Sequence, residues 1–412
     1  MDMQHADAGR PRVAIIGAGI GGVTLALELE RRGISFQVFE AAPKLAAIGV
    51  GINLLPHATA VLFDLGVGEA IASRAVTTKE SAFFNRFGQH IYSEPAGRYA
   101  GHRYPQFSVH RGDLQMALVD ALRSRAGDDA VLEDHRVESV EQDADRVLVN
   151  VRRGDGGLKT FEADVAVGAD GVNSVLRRQL HPETAQRYTG YMMWRGTTIM
   201  PPILTGASMV RAGWFTPGKM VVYPIRDDVN ERGDQLVNWV AEVASPMLDE
   251  RDWNRPGLID DFIGPFEDWH FDWLDVPAMI RASEQVLEYP MVDQEPLDHW
   301  TEGRVTLLGD AAHPMVPRGS NGAAQSILDA RRLAEELSER PDREALQAYE
   351  DERRPATARV VLMNRTNPPD AILREVFERT GDAPFADISE VISQDELRAF
   401  GDTYRATVGI AD

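Results

Sequence analysis

Residues 13–33 read VAIIGAGIGGVTLALELERRG, and residues 35–40 read SFQVFE. VAII is short and wholly apolar, which fits a strand buried on both faces. GAGIGG breaks that run, and the next residues follow a helical pattern that Gly33 stops. SFQVFE is a second strand ending in an acid. Gly17, Gly19 and Gly22 therefore form G-x-G-x-x-G between a strand and a helix, with Glu40 18 residues beyond Gly22. In that setting the spacing predicts a dinucleotide-binding turn. Gly17 allows the tight turn, Gly19 lets a pyrophosphate approach the backbone, and Gly22 lets the helix pack on the strand. The helix N-terminus offers unpaired N–H groups to the phosphates. Glu40 is expected to accept hydrogen bonds from an adenosine ribose hydroxyl pair. The motif alone leaves NAD and FAD open.

No second G-x-G-x-x-G occurs between a strand and a helix; GSNGAA (319–324) has the wrong spacing. Other candidate ligand positions are spread along the chain. GVGINLLP (49–56) adds glycines near the second strand, and HRGDLQMAL (110–118) sets Arg111 before a helix. GADGVNSVLRRQL (168–180) contains the Asp170–Gly171 turn and Arg177, and Asp310 ends the late apolar run RVTLL with only Gly309 between. Residues 76–94 and 186–245 instead hold aromatic-rich, strand-like runs such as YTGYMMWRGTTIM and KMVVYPIR. The pattern predicts an α/β fold: a Rossmann-like domain over 1–75, 100–185 and 286–365, a β-rich substrate domain inserted at 76–99 and 186–285, and a C-terminal helical tail over 366–412. In the tail, SQDELRAF (393–400) opens with a capping box, Ser393 with Glu396. The tail reads as structural or dimer-forming, so a monomer or a homodimer is expected.

Composition narrows the functional class. The chain of 412 residues has no cysteine, which excludes disulfides, thiolate metal sites and cysteine nucleophiles and fits a reducing cytoplasm. A formal charge of −21 disfavours nucleic acid and anionic membranes as partners. No apolar stretch is long enough for a membrane helix, and MDMQHADAGRPR lacks the apolar centre of a signal peptide.

Four motifs stand in order: GAGIGG, GADGVNSVLR, LLGDAAHP (307–314) and YEDERRP (349–355). Together they resemble single-component flavoprotein aromatic hydroxylases of the 4-hydroxybenzoate hydroxylase class, over roughly residues 12–365. GVGIN, YPQFSVHRGDLQM, MWRG, LVNWV and GDAAHPMVPRGSNGAAQSILDA are similar to a phenazine-modifying subgroup, whose substrate is not carried over. The resemblance implies FAD as cofactor, NADH or NADPH as transient reductant, and O2 and a small aromatic or N-heteroaromatic molecule as substrates. Reduced flavin would bind oxygen at C4a, and the hydroperoxide would transfer an electrophilic OH to the ring. It further implies that Glu40 binds the adenosine ribose, Arg111 lies near the pyrophosphate, Asp170 serves FAD and nicotinamide binding, and Asp310 holds the ribityl–pyrophosphate region. The loop 317–323 would face the isoalloxazine. Many relatives have glycine–glutamine–glycine and a later asparagine there; Ser320, Asn321 and Ala324 stand in those places. Asn321 and Gly322 remain candidates for ring contact, with Gly322 opening a helix whose N–H groups stabilise negative charge on reduced flavin.

Substrate contacts are expected from three residues. Tyr223 lies on a strand that faces the ring in relatives. Lys219 stands where some relatives carry a histidine that assists substrate deprotonation, and a period of two puts it on the same strand face as Tyr223. A buried Lys219 would serve as a base; a solvent-facing one would not. Arg318 either points into the site toward an anionic group or faces solvent. Trp194 and Arg195 are pocket or sheet residues, and His313 is expected to hold its loop by a backbone hydrogen bond. His57 is within possible reach of the pocket, with nothing in its spacing requiring it. The competing outcomes are oxidative decarboxylation, epoxidation or oxidase chemistry on the same fold, and a non-catalytic FAD-fold binding protein.

Overall fold

VAII forms the middle of a parallel sheet. Its four residues are almost completely buried, between strands Val165–Gly168 and Phe36–Phe39. Val305–Leu307 and Val131–Leu132 extend the sheet on either side, each in parallel. The helix Ile20–Arg31 packs between helices Arg111–Ala126 and Asn321–Glu339. Val23 to Leu29 are buried on every side of it, so apolar residues are not confined to one stripe, and the buried Glu28 is paired with Arg32 and Arg331. This computed structural model describes residues 12–246 and 256–408. Residues 1–11 of the N-terminal stretch read for a signal peptide, part of the inserted domain at 247–255 and the last four residues of the tail lie outside the described residues.

The β-rich insertion is a seven-stranded sheet. Its order is Val286–Asp293, Arg187–Met200, Gln235–Ala244, Gly218–Arg226, Ser208–Trp214, Glu80–Phe84 and His90–Pro95. Side chains alternate between its two faces. Met192, Trp194, Met220, Val222, Val237, Trp239 and Ala241 face a core closed by Phe262, Phe266, Trp269 and Ile280. Met193, Arg195, Val221, Tyr223, Val240 and Glu242 instead line a cleft against the parallel-sheet domain. Trp194 and Arg195 are thus separated by alternation. Trp194 stacks on Phe262 and donates to Glu288, while Arg195 turns to the cleft.

Strand pairing refines the expected boundary at 286. Val286–Asp293 pairs antiparallel with Arg187–Met200 and so continues the large sheet. Its alternation would suit either sheet, and only the partner strand decides. A small sheet of Gly51–Leu54, Phe107–His110 and Val76–Thr77 stands between the two domains. The tail lies on the outer strands of the large sheet. Ile372, Leu373, Val376, Ile392 and Leu397 pack on Phe83 and Ile91. The capping box forms: Glu396 N donates to Ser393 Oγ and Ser393 N to the Glu396 carboxylate.

Candidate active site

The glycine turn is shaped by contacts that leave no room for side chains. Gly17 has φ +105°, and a Cβ there would stand 2.5 Å from the Ala169 carbonyl oxygen. A Cβ on Gly22 would stand 2.0 Å from the Gly17 carbonyl oxygen. Gly19 differs: its nearest neighbour would be 4.0 Å away, and it borders the cleft. It precedes the helix Ile20–Arg31, whose first N–H groups are free of intrahelical partners. That arrangement fits a pyrophosphate. Glu40 is fixed at the next strand end, where its carboxylate accepts from Ala18 N at 2.9 Å and Ala42 N at 2.7 Å. Gly21, which the motif leaves unspecified, is also confined: a Cβ would meet Leu308 at 2.7 Å. Here helix Asn321–Glu339 crosses the first helix.

The cleft encloses about 330 Å³. Gly19, Arg111, Gly171, Asp310, Asn321 and Gly322 all border it, so residues far apart in sequence converge on one cavity. Arg111 begins its helix, with its N–H on the Val50 carbonyl at 2.8 Å. Asp170 lies just behind the wall. Its Oδ2 accepts from Val175 N at 2.7 Å, its Oδ1 is buried without a partner, and burial raises its pKa despite those bonds. Asp310 is exposed at the strand end, where the chain enters a short 3-10 turn. Helix Asn321–Glu339 starts one residue before Gly322, and Ser320 at its N-cap has φ +59°. A left-handed non-glycine residue costs about 1–2 kcal/mol and is concentrated where a site needs a set geometry.

A buried network behind the cleft holds this loop. Arg177 donates to the carbonyls of Ala311 and Ala312 at 3.1 and 3.0 Å; burial lowers its pKa to about 10, so it remains cationic at neutral pH. Asp329 accepts from Gly309 N at 3.2 Å, from His313 Nε2 and from Arg353 Nε at 2.7 Å. Burial would raise the Asp329 pKa, but His313 and Arg353 outweigh it and hold the carboxyl low. The His313 ring thus fixes the loop through the Asp329 carboxylate, where a hydrogen bond to the backbone was expected. Asp329 was missed by sequence reasoning, because nothing in a helical aspartate distinguishes a buried hub from a solvated face. Arg353, within YEDERRP, also binds Gln325 Oε1 at 2.6 Å and so gives that motif a structural role.

Of the three residues expected to contact substrate, Tyr223 borders the cleft, on the wall opposite the glycine turn. Tyr223 is buried; desolvation raises its pKa, while Arg195 and Asn53 hydrogen bonds oppose this. Its hydroxyl is therefore protonated at neutral pH. Gly51 passes so close that a Cβ would stand 2.7 Å from Tyr223 and Asn238. Gly51 N donates to Asn238 Oδ1 at 2.7 Å, and Arg195 donates to the Gly51 carbonyl at 2.6 Å. These contacts lock the small central sheet onto the large one.

Two expectations need correction. Lys219 is buried on the same strand face as Tyr223, but its Nζ lies 2.9 Å from Glu242 Oε1 and also pairs with Asp370. Its Nζ is thus taken up by two carboxylates, and Lys219 is not among the residues that border the cavity. The geometry therefore does not support Lys219 as the base. Arg318 does not enter the cleft. Its guanidinium sits 4.7 Å from the Phe215 ring centroid and donates to the Asn364 carbonyl at 3.2 Å. Pro317 and Ser320 border the cleft on either side of it, and the left-handed Gly319 and Ser320 turn the backbone there. His57 also stays outside the residues bordering the cavity.

A glycine turn that opens a helix and a β-sheet wall facing it across one cavity fit a flavin-binding cleft. The chain belongs to the FAD binding domain family, whose model matches residues 10–251 and 276–364. It is 45% identical over 361 residues to phenazine 1,6-dicarboxylic acid hydroxylase of Lysobacter antibioticus, covering 86% of this chain and 89% of that one. It is 30% identical to 6-hydroxynicotinate 3-monooxygenase of Bordetella bronchiseptica, over 87% of this chain and 92% of that one. Its fold matches the crystal structure of Klebsiella pneumoniae HpxO with FAD and uric acid at a TM-score of 0.75 and 25% identity, covering 97% and 98% of the two chains. The protein is an FAD-dependent, NAD(P)H-using monooxygenase of the aromatic hydroxylase class. Among the described residues no helix is long and apolar enough to cross a membrane.

Proposed function

We propose that this enzyme hydroxylates a fused N-heteroaromatic acid of the phenazine type. The observation that carries the reading is the cleft wall: Met193, Val221 and Val240 present a flat apolar face, bordered by the polar Arg195, Tyr223 and Glu242. Such a surface suits a planar multi-ring substrate with polar groups at its edge. The 45% identity to a phenazine dicarboxylate hydroxylase supports the same class.

Bound FAD supplies the electron transfer and oxygen activation. In this reading Gly19 and the first helix take the pyrophosphate, with Arg111 beside it, and Glu40 takes the adenosine ribose. Asp310 takes the ribityl chain. Asn321, Gly322 and the N–H groups at that helix start stabilise negative charge on the ring system. Tyr223 donates a hydrogen bond to the substrate. The apolar wall excludes water from the reacting ring, which suppresses wasteful side reactions.

The test is a screen of purified holoenzyme with phenazine-1-carboxylate, phenazine-1,6-dicarboxylate, hydroxynicotinates and hydroxybenzoates. NADH and NADPH oxidation and product mass are followed together. A phenazine that stimulates oxidation and gains one oxygen supports the reading, and loss of carbon dioxide with that gain identifies oxidative decarboxylation. Stimulation by monocyclic compounds alone rejects the phenazine class.

A further inference from the structure

Glu242 stands directly opposite Lys219 in the antiparallel pair of strands Gly218–Arg226 and Gln235–Ala244. It lines the cleft and is 3% exposed. One carboxylate oxygen is bound to Lys219 Nζ at 2.9 Å; the other, Oε2, is buried with no hydrogen-bond partner. A buried, unsatisfied carboxylate oxygen is costly to keep unless a ligand uses it. The charge around it points to the kind of ligand. Lys219 is shared with Asp370, so two carboxylates face one ammonium. Against burial, Lys219 and then Arg318 and Arg211 hold the Asp370 pKa down, but each arginine is turned to other partners: Arg318 to Phe215 and the Asn364 carbonyl, Arg211 to Phe83 and the Met209 sulfur. Glu242 is the member of this cluster that borders the substrate cavity.

We propose that Glu242 is a specificity-determining residue whose Oε2 accepts a hydrogen bond from a hydroxyl or ring N–H at the substrate's edge. The Lys219–Asp370 pair behind it holds the carboxylate in place. A donor-bearing ring edge is selected at this end of the cleft, and a carboxylate group is repelled from it. The proposal rests on the monooxygenase reading of the cleft, and it holds whichever ring system fills it.

The test measures binding to oxidised FAD holoenzyme by flavin absorbance titration, with two matched ligand pairs: 2-hydroxyphenazine against phenazine, and 4-hydroxybenzoate against benzoate. Within each pair the hydroxyl is the main difference. Glu242→Leu removes the acceptor and leaves Lys219 paired with Asp370; Glu242→Gln keeps an uncharged acceptor and serves if the leucine variant fails to fold. The expected result is a hydroxyl-dependent gain in affinity of about tenfold or more in wild type, as for a charge-assisted hydrogen bond. That gain is lost in Glu242→Leu and reduced in Glu242→Gln, while the affinity of the parent ring hardly moves. If the phenazines do not bind but the benzoates show this pattern, the phenazine reading fails and the role of Glu242 stands. A hydroxyl gain that is absent in both pairs, or that survives in both variants, overturns the proposal.

Discussion

Gly22 has the least space of the three motif glycines. A methyl group there would collide with the Gly17 carbonyl, which is backbone and cannot rotate aside. Overpacking of this kind costs about 1–3 kcal/mol or more. Gly22→Ala is expected to lower the melting temperature and the flavin-to-protein ratio together; a variant with full flavin content would contradict the crowding. Lys219 is governed by charge rather than space. Lys219→Met leaves Glu242 and Asp370 buried without their cation, a loss of about 3–5 kcal/mol for a broken buried ion pair. Denaturant unfolding measures it, and a near-neutral result would mean that water reaches the pair. The tight glycine turn and the place of Glu40 at the next strand end were legible because both are set locally. Lys219 was read on the right strand face but in the wrong electrical setting, since its partners sit at 242 and 370. Only sheet register and tail packing bring them together. Arg318 misled for a similar reason: its neighbours border the cavity, yet the backbone turns it the other way.

Among the elements, the tail helix Ala371–Thr380 has the clearest mechanical role. Its residues Ile372, Leu373 and Val376 are nearly fully buried against the outer strands of the large sheet. Leu373→Ala is expected to cost about 2–5 kcal/mol. Because Asp370 adjoins that helix, the same substitution should also weaken binding of a substrate-site ligand, while flavin content holds. A titration of oxidised holoenzyme separates the two effects, and equal loss of flavin would show that the tail supports the whole fold instead. The helical character of the tail and its capping box were legible from apolar spacing and from Ser393 with Glu396. Its docking site was not, because an apolar stripe does not name the surface that covers it. The strand at 286 shows the same limit: its pattern fits two sheets, and pairing with Arg187–Met200 decides.

Across the whole molecule, acid sensitivity follows from groups that are buried in one protonation state. His57 has both ring nitrogens buried without partners, and its pKa is lowered to about 4 by burial, then by Arg353 and His102. The folded protein therefore keeps His57 neutral where the unfolded chain, at its ordinary value of 6.5, already binds a proton. Stability from this group is complete above pH 6.5, falls as pH drops toward 4, and changes no further below that. The total is on the order of 3 kcal/mol. His57→Phe should flatten the melting temperature against pH between 6.5 and 4, and an unchanged slope would assign the acid transition elsewhere. Asp329 acts lower on the scale: its depressed pKa contributes stability above the ordinary carboxyl value of 3.8 and loses it as pH falls further.

The contact between Asp370 and Lys219 also has a consequence in time. The strands carrying Lys219 and Glu242 leave the ribosome long before residue 370 does. Until then the buried ammonium has one carboxylate instead of two, and the outer strands of the large sheet lack their cover. The nucleotide-binding half reaches its last strand at Val305–Leu307 and its crossing helix at Asn321–Glu339, also ahead of the tail. In chain order, the residues that shape the cofactor cleft thus precede those that cover the outer strands and complete the pairing of Lys219. Truncation after residue 366 is expected to leave flavin content intact and to weaken the preference for hydroxylated over parent ring ligands, read by flavin absorbance and by titration of the oxidised holoenzyme.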